Sequence, residues 1–548
     1  VSETDDAAGV PDSKIGRASA VMATGTIVSR ILGFVKAAVL AATIGQVGSA
    51  AADAFTIANG LPNNIYALIA GGMLSAVLVP QIVRSALHAD GGQRFINKLV
   101  TLGITVFVIL TIIATLCAPL LIDLYTNDPD PEVFALATAF AYWCLPQILF
   151  YALYTLLGEV LNARGVFGPF MWAPILNNVV AIAGLVAFQV LFGSGTQFHS
   201  PDVWTPGMVG LLGASATLGV AAQALILGVF WKRARLGFRP DFKWRGVGLS
   251  RTGRTASWAF AMILVTQIAG IVQTQVVFQA AGAGASATTL QNAFLIFMLP
   301  HSVVTVSLVT AYFTRMSGHA SAGNLAGVRS DVSSSLRSIG LVMVFATIAL
   351  MVVAYPVSVF FESDVDKIRA MGNVIIALLL SLVPFSAVFV MQRVFYALED
   401  TRTVFLIEVA KQSVFVAGAL VAGTLPLEWI GVGVAVATSI AVTAQLVITF
   451  AVLRRKLGSI DGRRIAVRYL EYLGAALAAG VVGFGLLWLL GGLWPAGFAL
   501  SGMGAAALTI VGLGTLMSLI YVGLLALFKN SELAPVLRSL TERFSRSR

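Results

Sequence analysis

The sequence predicts an all-α integral membrane protein with 14 transmembrane helices. They are arranged as two pseudo-symmetric six-helix lobes followed by two C-terminal helices. Three observations carry that prediction: the composition, the alternation of basic and uncharged loops, and an internal repeat. Of the 548 residues, 58% are hydrophobic and 11% charged, against about 25% charged in an ordinary soluble domain. Apolar segments of about 20 residues or more, each able to cross a hydrocarbon core of roughly 30 Å, recur from residue 17 almost to the end.

In order, the breaks in hydropathy place spans near 17–45, 52–84, 96–122, 133–161, 168–193, 207–231, 255–282, 288–314, 335–361, 369–398, 402–424, 429–453, 467–492 and 503–528. Residues 1–16 are polar and acidic, lack the apolar core of a cleavable signal peptide, and are expected to form a disordered cytoplasmic tail. Lys and Arg accumulate on the cytoplasmic side of membrane proteins. The loop 232–254 carries Lys232, Arg233, Arg235, Arg239, Lys243, Arg245 and Arg251, and the loop 454–466 carries Arg454, Arg455, Lys456, Arg463 and Arg464. Alternate loops hold almost no cations, and DLYTNDPDPE is acidic. The pattern places both termini in the cytoplasm, the last as a tail over 529–548, and locates the protein in the cytoplasmic membrane.

The chain also resembles itself. Pro62 pairs with Pro300, Pro146 with Pro384 and Arg164 with Arg402, each at a separation of 238 residues. Six spans lie in that interval, an even number, so the copies share one orientation and are related by an axis along the membrane normal. The lobes are then 17–231 and 255–453, with the extra pair in 467–528.

Polar residues inside spans mark the candidate site. Arg30 lies 13 residues beyond Arg17, about 20 Å along a helix, too deep for easy snorkelling, and Lys36 lies about 9 Å further. A cation at bilayer centre costs about 2.5 kcal/mol or several times that. Either an interhelical ion pair or carbonyl contact holds Arg30, or it lines a water-filled cavity; for Lys36 reaching the outer interface is a further reading. Asp53 opens span 2, where two readings stand: a cap on its own helix, or a gate contact to a cation of span 1. Asn63 and Asn64 follow Pro62; Gln267, Gln275 and Gln279 share one stripe of span 7; Gln291 and Asn292 open span 8. Such amides serve as interhelical glue, and together they also suit a hydrated wall for sugar or peptide groups. Glu408 and Lys411 can pair on one helix face as a structural pair or as coupling groups. Cys117 and Cys144 lie in apolar spans and imply no disulfide. Four scattered histidines form no metal cluster, no cofactor motif is visible, and a net charge of +10 spread over short loops does not indicate nucleic acid.

At SRILGFVKAAVLAATIG, then ADAFTIANGLPNN, LNARGVFGPFMWAPILNNVV and LPHSVVTVSLVTAYFTRMS, the chain resembles the MurJ/MviN family, lipid II flippases within the MOP exporter superfamily, and its actinobacterial members most. The resemblance spans all fourteen helices. It implies a transporter without catalytic residues, cofactor or metal, which flips lipid II from the inner to the outer leaflet by alternating access. It places Arg30 and Lys36 at two cavity cations of the family and Asp53 at a family aspartate. The implied ligand combines an undecaprenyl tail, a pyrophosphate and a disaccharide pentapeptide, with membrane lipids and cell-wall or division proteins as further partners. Two departures stand out. Tyr66 and Ala67 replace an Arg pair of many relatives, and Leu295 and Met298 replace an Arg and a Glu. Span 7 has no acid for a sodium site. The alternatives are a flippase for another polyprenyl-pyrophosphate glycan, a multidrug antiporter, a membrane glycosyltransferase, or a scaffold of the wall machinery.

Overall fold

The computed structural model describes residues 12–85, 92–126, 130–164, 166, 168–233, 236–243, 253–495 and 497–533. Among them every long element is a helix. The first half comprises α1 (Asp12–Ile44), α2 (Ala50–Ser85), α3 (Gln93–Leu116) with α4 (Ala118–Thr126), α5 (Pro131–Cys144) with α6 (Gln147–Ala163), α7 (Gly168–Phe192) and α8 (Pro206–Arg233). The second half comprises α9 (Gly253–Phe278), α10 (Ala287–Pro300) joined through a π turn at His301–Thr305 to α11 (Val306–Ser321), α12 (Leu325–Val352) with α13 (Ala354–Ser358), α14 (Val365–Leu379) with α15 (Leu382–Ala397), α16 (Thr401–Ala422) and α17 (Leu427–Leu457). Last come α18 (Gly462–Leu489) and α19 (Met503–Leu527). Thirteen of these crossings are long and apolar enough to span a membrane, and the 36-residue α2 makes fourteen.

The halves repeat each other in their interruptions. The third crossing breaks at Cys117 and its counterpart at Val353; the fourth breaks at Leu145–Pro146 and its counterpart at Leu380–Ser381, just before Pro384. Proline lacks an N–H and crowds the preceding turn, so a helix restarts there. Pro300 is followed by the π turn, whereas Pro62 sits inside an unbroken α2.

Buried apolar residues form two large cores. One draws on α2 to α8, with Phe140, Phe188 and Ile148 fully enclosed. The other draws on α9 to α17, with Phe297, Phe395 and Leu382, and takes in Ala37, Ala41 and Val47 from the first half. The end of α1 thus packs on the second lobe. Within the first lobe α7 and α8 approach closely, since a Cβ on Gly184 would fall 2.1 Å from that of Ser215. Small residues at helix contacts let backbones gain dispersion contact that lipid cannot supply. Leu116, Val190, Val481 and Leu527 turn outward, the pattern of helices solvated by acyl chains.

The helices extend beyond the expected boundaries at both ends. Helix α1 starts at Asp12, inside the stretch read as a tail, while residues 1–11 lie outside the described residues. Arg454, Arg455 and Lys456 fall in the last turn of α17 rather than in a loop, where cations offset the negative end of the helix dipole. Asn530 and Glu532 dock the segment after α19: Arg337 pairs with Glu532 at 2.7 Å, and Asn530 donates to Glu471 at 2.7 Å. The rest of the expected C-terminal tail, 534–548, lies outside the described residues.

Candidate functional site

Two adjoining cavities lie between the lobes. The first, about 180 Å³, is lined by Lys36, Asn59, Gln147, Tyr151, Gln291 and Asn292 among others. The second, about 370 Å³, includes Asn64, Gln273, Thr274 and Gln291, so Gln291 faces both.

Lys36 is half-buried and lines the first cavity. It has no hydrogen-bond or ion-pair partner among the described residues. An ammonium left that way inside a bundle is tolerable only where water or an anionic ligand reaches it. Arg30 is also half-buried and likewise without such a partner among the described residues. It lies about 1.7 turns from Lys36 toward the basic end, and its charge reaches His301 of the second lobe. Of the two readings open for these cations, the ion pair finds no partner among the described residues, and the cavity reading fits Lys36, whereas Arg30 lines neither of the two cavities.

Asp53 does neither of the things the sequence left open. Its Oδ1 accepts from the Thr288 N–H and the Thr288 hydroxyl, each at 2.9 Å, so it caps α10 of the opposite lobe rather than its own helix or a cation of span 1. Asp53 is fully buried, and a carboxylate at a helix N-terminus satisfies donors that have no intrahelical acceptor. Thr56 bonds the same Thr288 at 2.8 Å.

More bonds join the lobes at this end. The turn between α1 and α2 aims two N–H groups across the interface: Val47 donates to Glu362 at 2.6 Å and Gly48 to the Gly284 carbonyl at 3.1 Å. Gln46 donates to the Met371 sulfur and accepts from Asn292. Gly45 and Gly48 sit at φ 82° and 70°, the left-handed region that favours glycine, and a Cβ on Gly45 would lie 2.1 Å from the His199 ring. Gln275 donates to the Leu124 carbonyl at 2.8 Å, and Phe34 packs edge-on against Phe360 and Phe361.

The remaining amides divide. Gln291 and Asn292 line the cavity, as does Asn64, whose carbonyl accepts from Gln267 at 2.7 Å. Gln267 and Gln275 thus act as bridges between helices. Asn63 and Gln279 are exposed and line neither cavity. Sequence reasoning passed over Asn59, Gln147, Asn177 and Gln273. Gln147 is fully buried and donates to Asn59 at 2.9 Å and Thr217 at 3.2 Å. Its place directly after the repeat landmark Pro146, and the pair Asn177–Asn178 in a span, were the available signals. Tyr66 bonds Thr155 at 2.6 Å and stacks on Tyr151, while Leu295 joins the wall of the first cavity.

Glu408 and Lys411 pair at 3.0 Å. Glu408 also accepts from Gln412 at 2.8 Å and Gln445 at 2.9 Å, and lies away from both cavities. A carboxylate with three such donors is satisfied where it is.

Residues 40–503 match the family model described as lipid II flippase MurJ. A probable lipid II flippase MurJ of Haemophilus influenzae is 27% identical over 482 residues, 83% of this chain and 89% of that protein. One of Vibrio cholerae is 26% identical over 524 residues, 92% and 94% of the two chains. Among solved structures, a lipid II flippase MurJ in an inward closed conformation superposes with a TM-score of 0.72 at 19% identity, covering 92% of this chain and 98% of the other. An inward-facing multidrug MATE transporter of the MOP superfamily gives 0.61 at 15% identity, covering 79% and 96%. At those identities the likeness concerns the fold.

Proposed function

The chain belongs to the lipid II flippase MurJ family, and from that premise we propose how it moves lipid II across the membrane. The observation that carries the proposal is Lys36, a cation without a partner among the described residues, on the wall of an amide-lined cavity between two lobes. The pyrophosphate of the lipid binds Lys36 and Arg30. Lys36 acts as a point charge, and Arg30 brings a planar fork that can hold two phosphate oxygens. Asn59, Gln147, Gln291 and Asn292 supply donors and acceptors for the sugar and peptide, while the prenyl tail stays in lipid.

The basic end of the bundle is the cytoplasmic end, following the bias of Lys and Arg, so both termini face the cytoplasm. The end joined by Asp53, Gln46 and Glu362 is then the outer gate, here shut. Flipping requires that gate to open while the cytoplasmic side closes, by rocking of the lobes. An inside-negative potential favours outward movement of an anion by about 2.3 kcal/mol per charge per 100 mV if it crosses the whole field. No covalent step is involved.

The test is depletion of the protein in its host with lipid II measured on each leaflet. Wild type and Lys36→Arg restore outer-leaflet lipid II; Lys36→Ala and Arg30→Ala do not. Normal restoration by both alanine variants, present in the membrane at the wild-type level, would overturn the proposed site.

A further inference from the structure

Away from the cavities between the lobes, cations gather where α17 turns into α18. A cleft of about 450 Å³ there is lined by Phe450, Arg454, Gly458 and Arg463 among others. An adjoining one of about 440 Å³ shares the first three of these and adds Arg455. Neither wall includes an Asp or a Glu. The turn holds the two helix ends beside one another: Gly458 sits at φ 82°, and a Cβ on Gly462 would fall 3.1 Å from the Phe450 ring. The helices then part, α17 packing on α14, α15 and α16, and α18 on α12 and α19.

The charges of this region divide into paired and unpaired. Lys456 reaches Asp400, Arg464 reaches Asp461 at 4.0 Å, and Arg468 reaches Glu471 at 2.6 Å. Asp461, the acid of the turn, also accepts from Ser333 at 3.2 Å. Arg454, Arg455 and Arg463 have no hydrogen-bond or ion-pair partner among the described residues. A fourth guanidinium, that of Arg329 on α12, comes within 3.5 Å of where a Cβ of Gly458 would stand. Its Nε is buried and meets no acceptor among the described residues. Four like charges around one turn repel, and a buried donor left unpaired costs free energy. The arrangement calls for an anion.

Depth and flanking surface identify its kind. The 31 residues of α17 rise about 46 Å, and a bilayer with its headgroup layers is about 40–45 Å thick, so the last turn, with Arg454, lies among lipid phosphates. Toward the membrane, Val447 and Ile440 follow Arg454 at seven-residue steps, on the same face of α17. On α18, Val467 and Leu470 continue the face of Arg463 in the same way. All four apolar side chains are exposed.

We propose that this cleft binds an anionic phospholipid, its phosphodiester held by Arg454 and Arg463 and its acyl chains lying along the two apolar stripes. The planar fork of an arginine suits a pair of phosphate oxygens, and Arg329 and Arg455 add to the field. The lipid fills the wedge between the parting helices and ties the C-terminal pair to the second lobe. The site is separate from the Lys36 cavity and independent of what that cavity carries.

The experiment uses the full chain in phosphatidylcholine vesicles, with Cys117 and Cys144 replaced by alanine. A bimane is attached to the thiol introduced by Ala451→Cys, an exposed position on the wall of the cleft. A trace of phosphatidylglycerol brominated on its chains quenches the bimane on binding, and brominated phosphatidylcholine reports the bulk lipid. Each arginine at the membrane surface is worth about fivefold, so phosphatidylglycerol should be enriched roughly 25-fold over phosphatidylcholine. Arg454→Gln/Arg463→Gln lowers the enrichment by about that factor. Either single variant lowers it about fivefold and serves if the double variant fails to assemble. Lys232→Gln/Arg233→Gln, which removes two exposed cations from the same basic end of the bundle, leaves it unchanged. Equal quenching by the two brominated lipids, or an equal loss in the Lys232→Gln/Arg233→Gln control, would overturn the site. So would loss of the phosphatidylglycerol signal in inorganic phosphate at constant ionic strength, which would mark a site for free phosphate. The readout involves no lipid II, so its failure leaves the transport proposal standing.

Discussion

Replacing Asp53 by alanine should loosen the outer gate by an amount the geometry sets. The carboxylate accepts two donors from Thr288, the backbone N–H and the hydroxyl, both at 2.9 Å and both buried. In the shut state Asp53→Ala leaves these donors in a dry interface at about 1–3 kcal/mol each, whereas in the open state water takes the place of the carboxylate. Once the Thr288 hydroxyl rotates toward Thr56, 2.8 Å away, the backbone N–H remains unpaired and the shut state loses about 1–3 kcal/mol. That is roughly 5- to 150-fold in the ratio of shut to open. The rate at which a membrane-impermeant maleimide added outside labels the thiol introduced by Gln291→Cys, divided by that of the exposed control Ser200→Cys, should rise by that factor until the gate is mostly open. Asp53→Asn keeps one acceptor oxygen and should show a smaller rise. A rate for Asp53→Ala within threefold of the parent, or an equal effect of both variants, would refute the view that this cap holds the lobes together.

Two stability predictions follow from the polar contacts away from the cavity. Lys411→Met removes one donor from buried Glu408 and should destabilise the protein in detergent by about 2–4 kcal/mol. The double variant Glu408→Gln/Lys411→Met recovers at least half, because the uncompensated charge is gone; equal melting of single and double variants would contradict this. Arg337→Ala breaks the pair with Glu532, whose arginine is 7% and glutamate 16% exposed, at about 2–4 kcal/mol. It should free the segment at Asn530–Leu533 for proteolysis ahead of the membrane helices, and unchanged cleavage kinetics would count against that docking.

The sequence by itself determined the membrane class, the all-helical architecture and the family. These properties are local or periodic: hydropathy sums over about 20 neighbours, and the prolines between α5 and α6 and in the first turn of α15 act on their own turn. Arg30 and Lys36 stood out for the same reason, because a cation in an apolar run is costly whatever surrounds it. Only the tertiary structure decided what each polar side chain meets. Gln267 and Gln273 are six residues apart on one helix, yet one bridges to the Asn64 carbonyl and the other lines a cavity. Asp53 reads as a cap for its own helix until α10, whose Thr288 lies 235 residues away, is brought against it. Glu362 is an ordinary loop acid until Val47 of the other lobe, 315 residues away, covers it. Those pairings depend on how each helix is rotated and how the lobes dock, which hydrophobic periodicity does not encode when lipid and protein core are equally apolar.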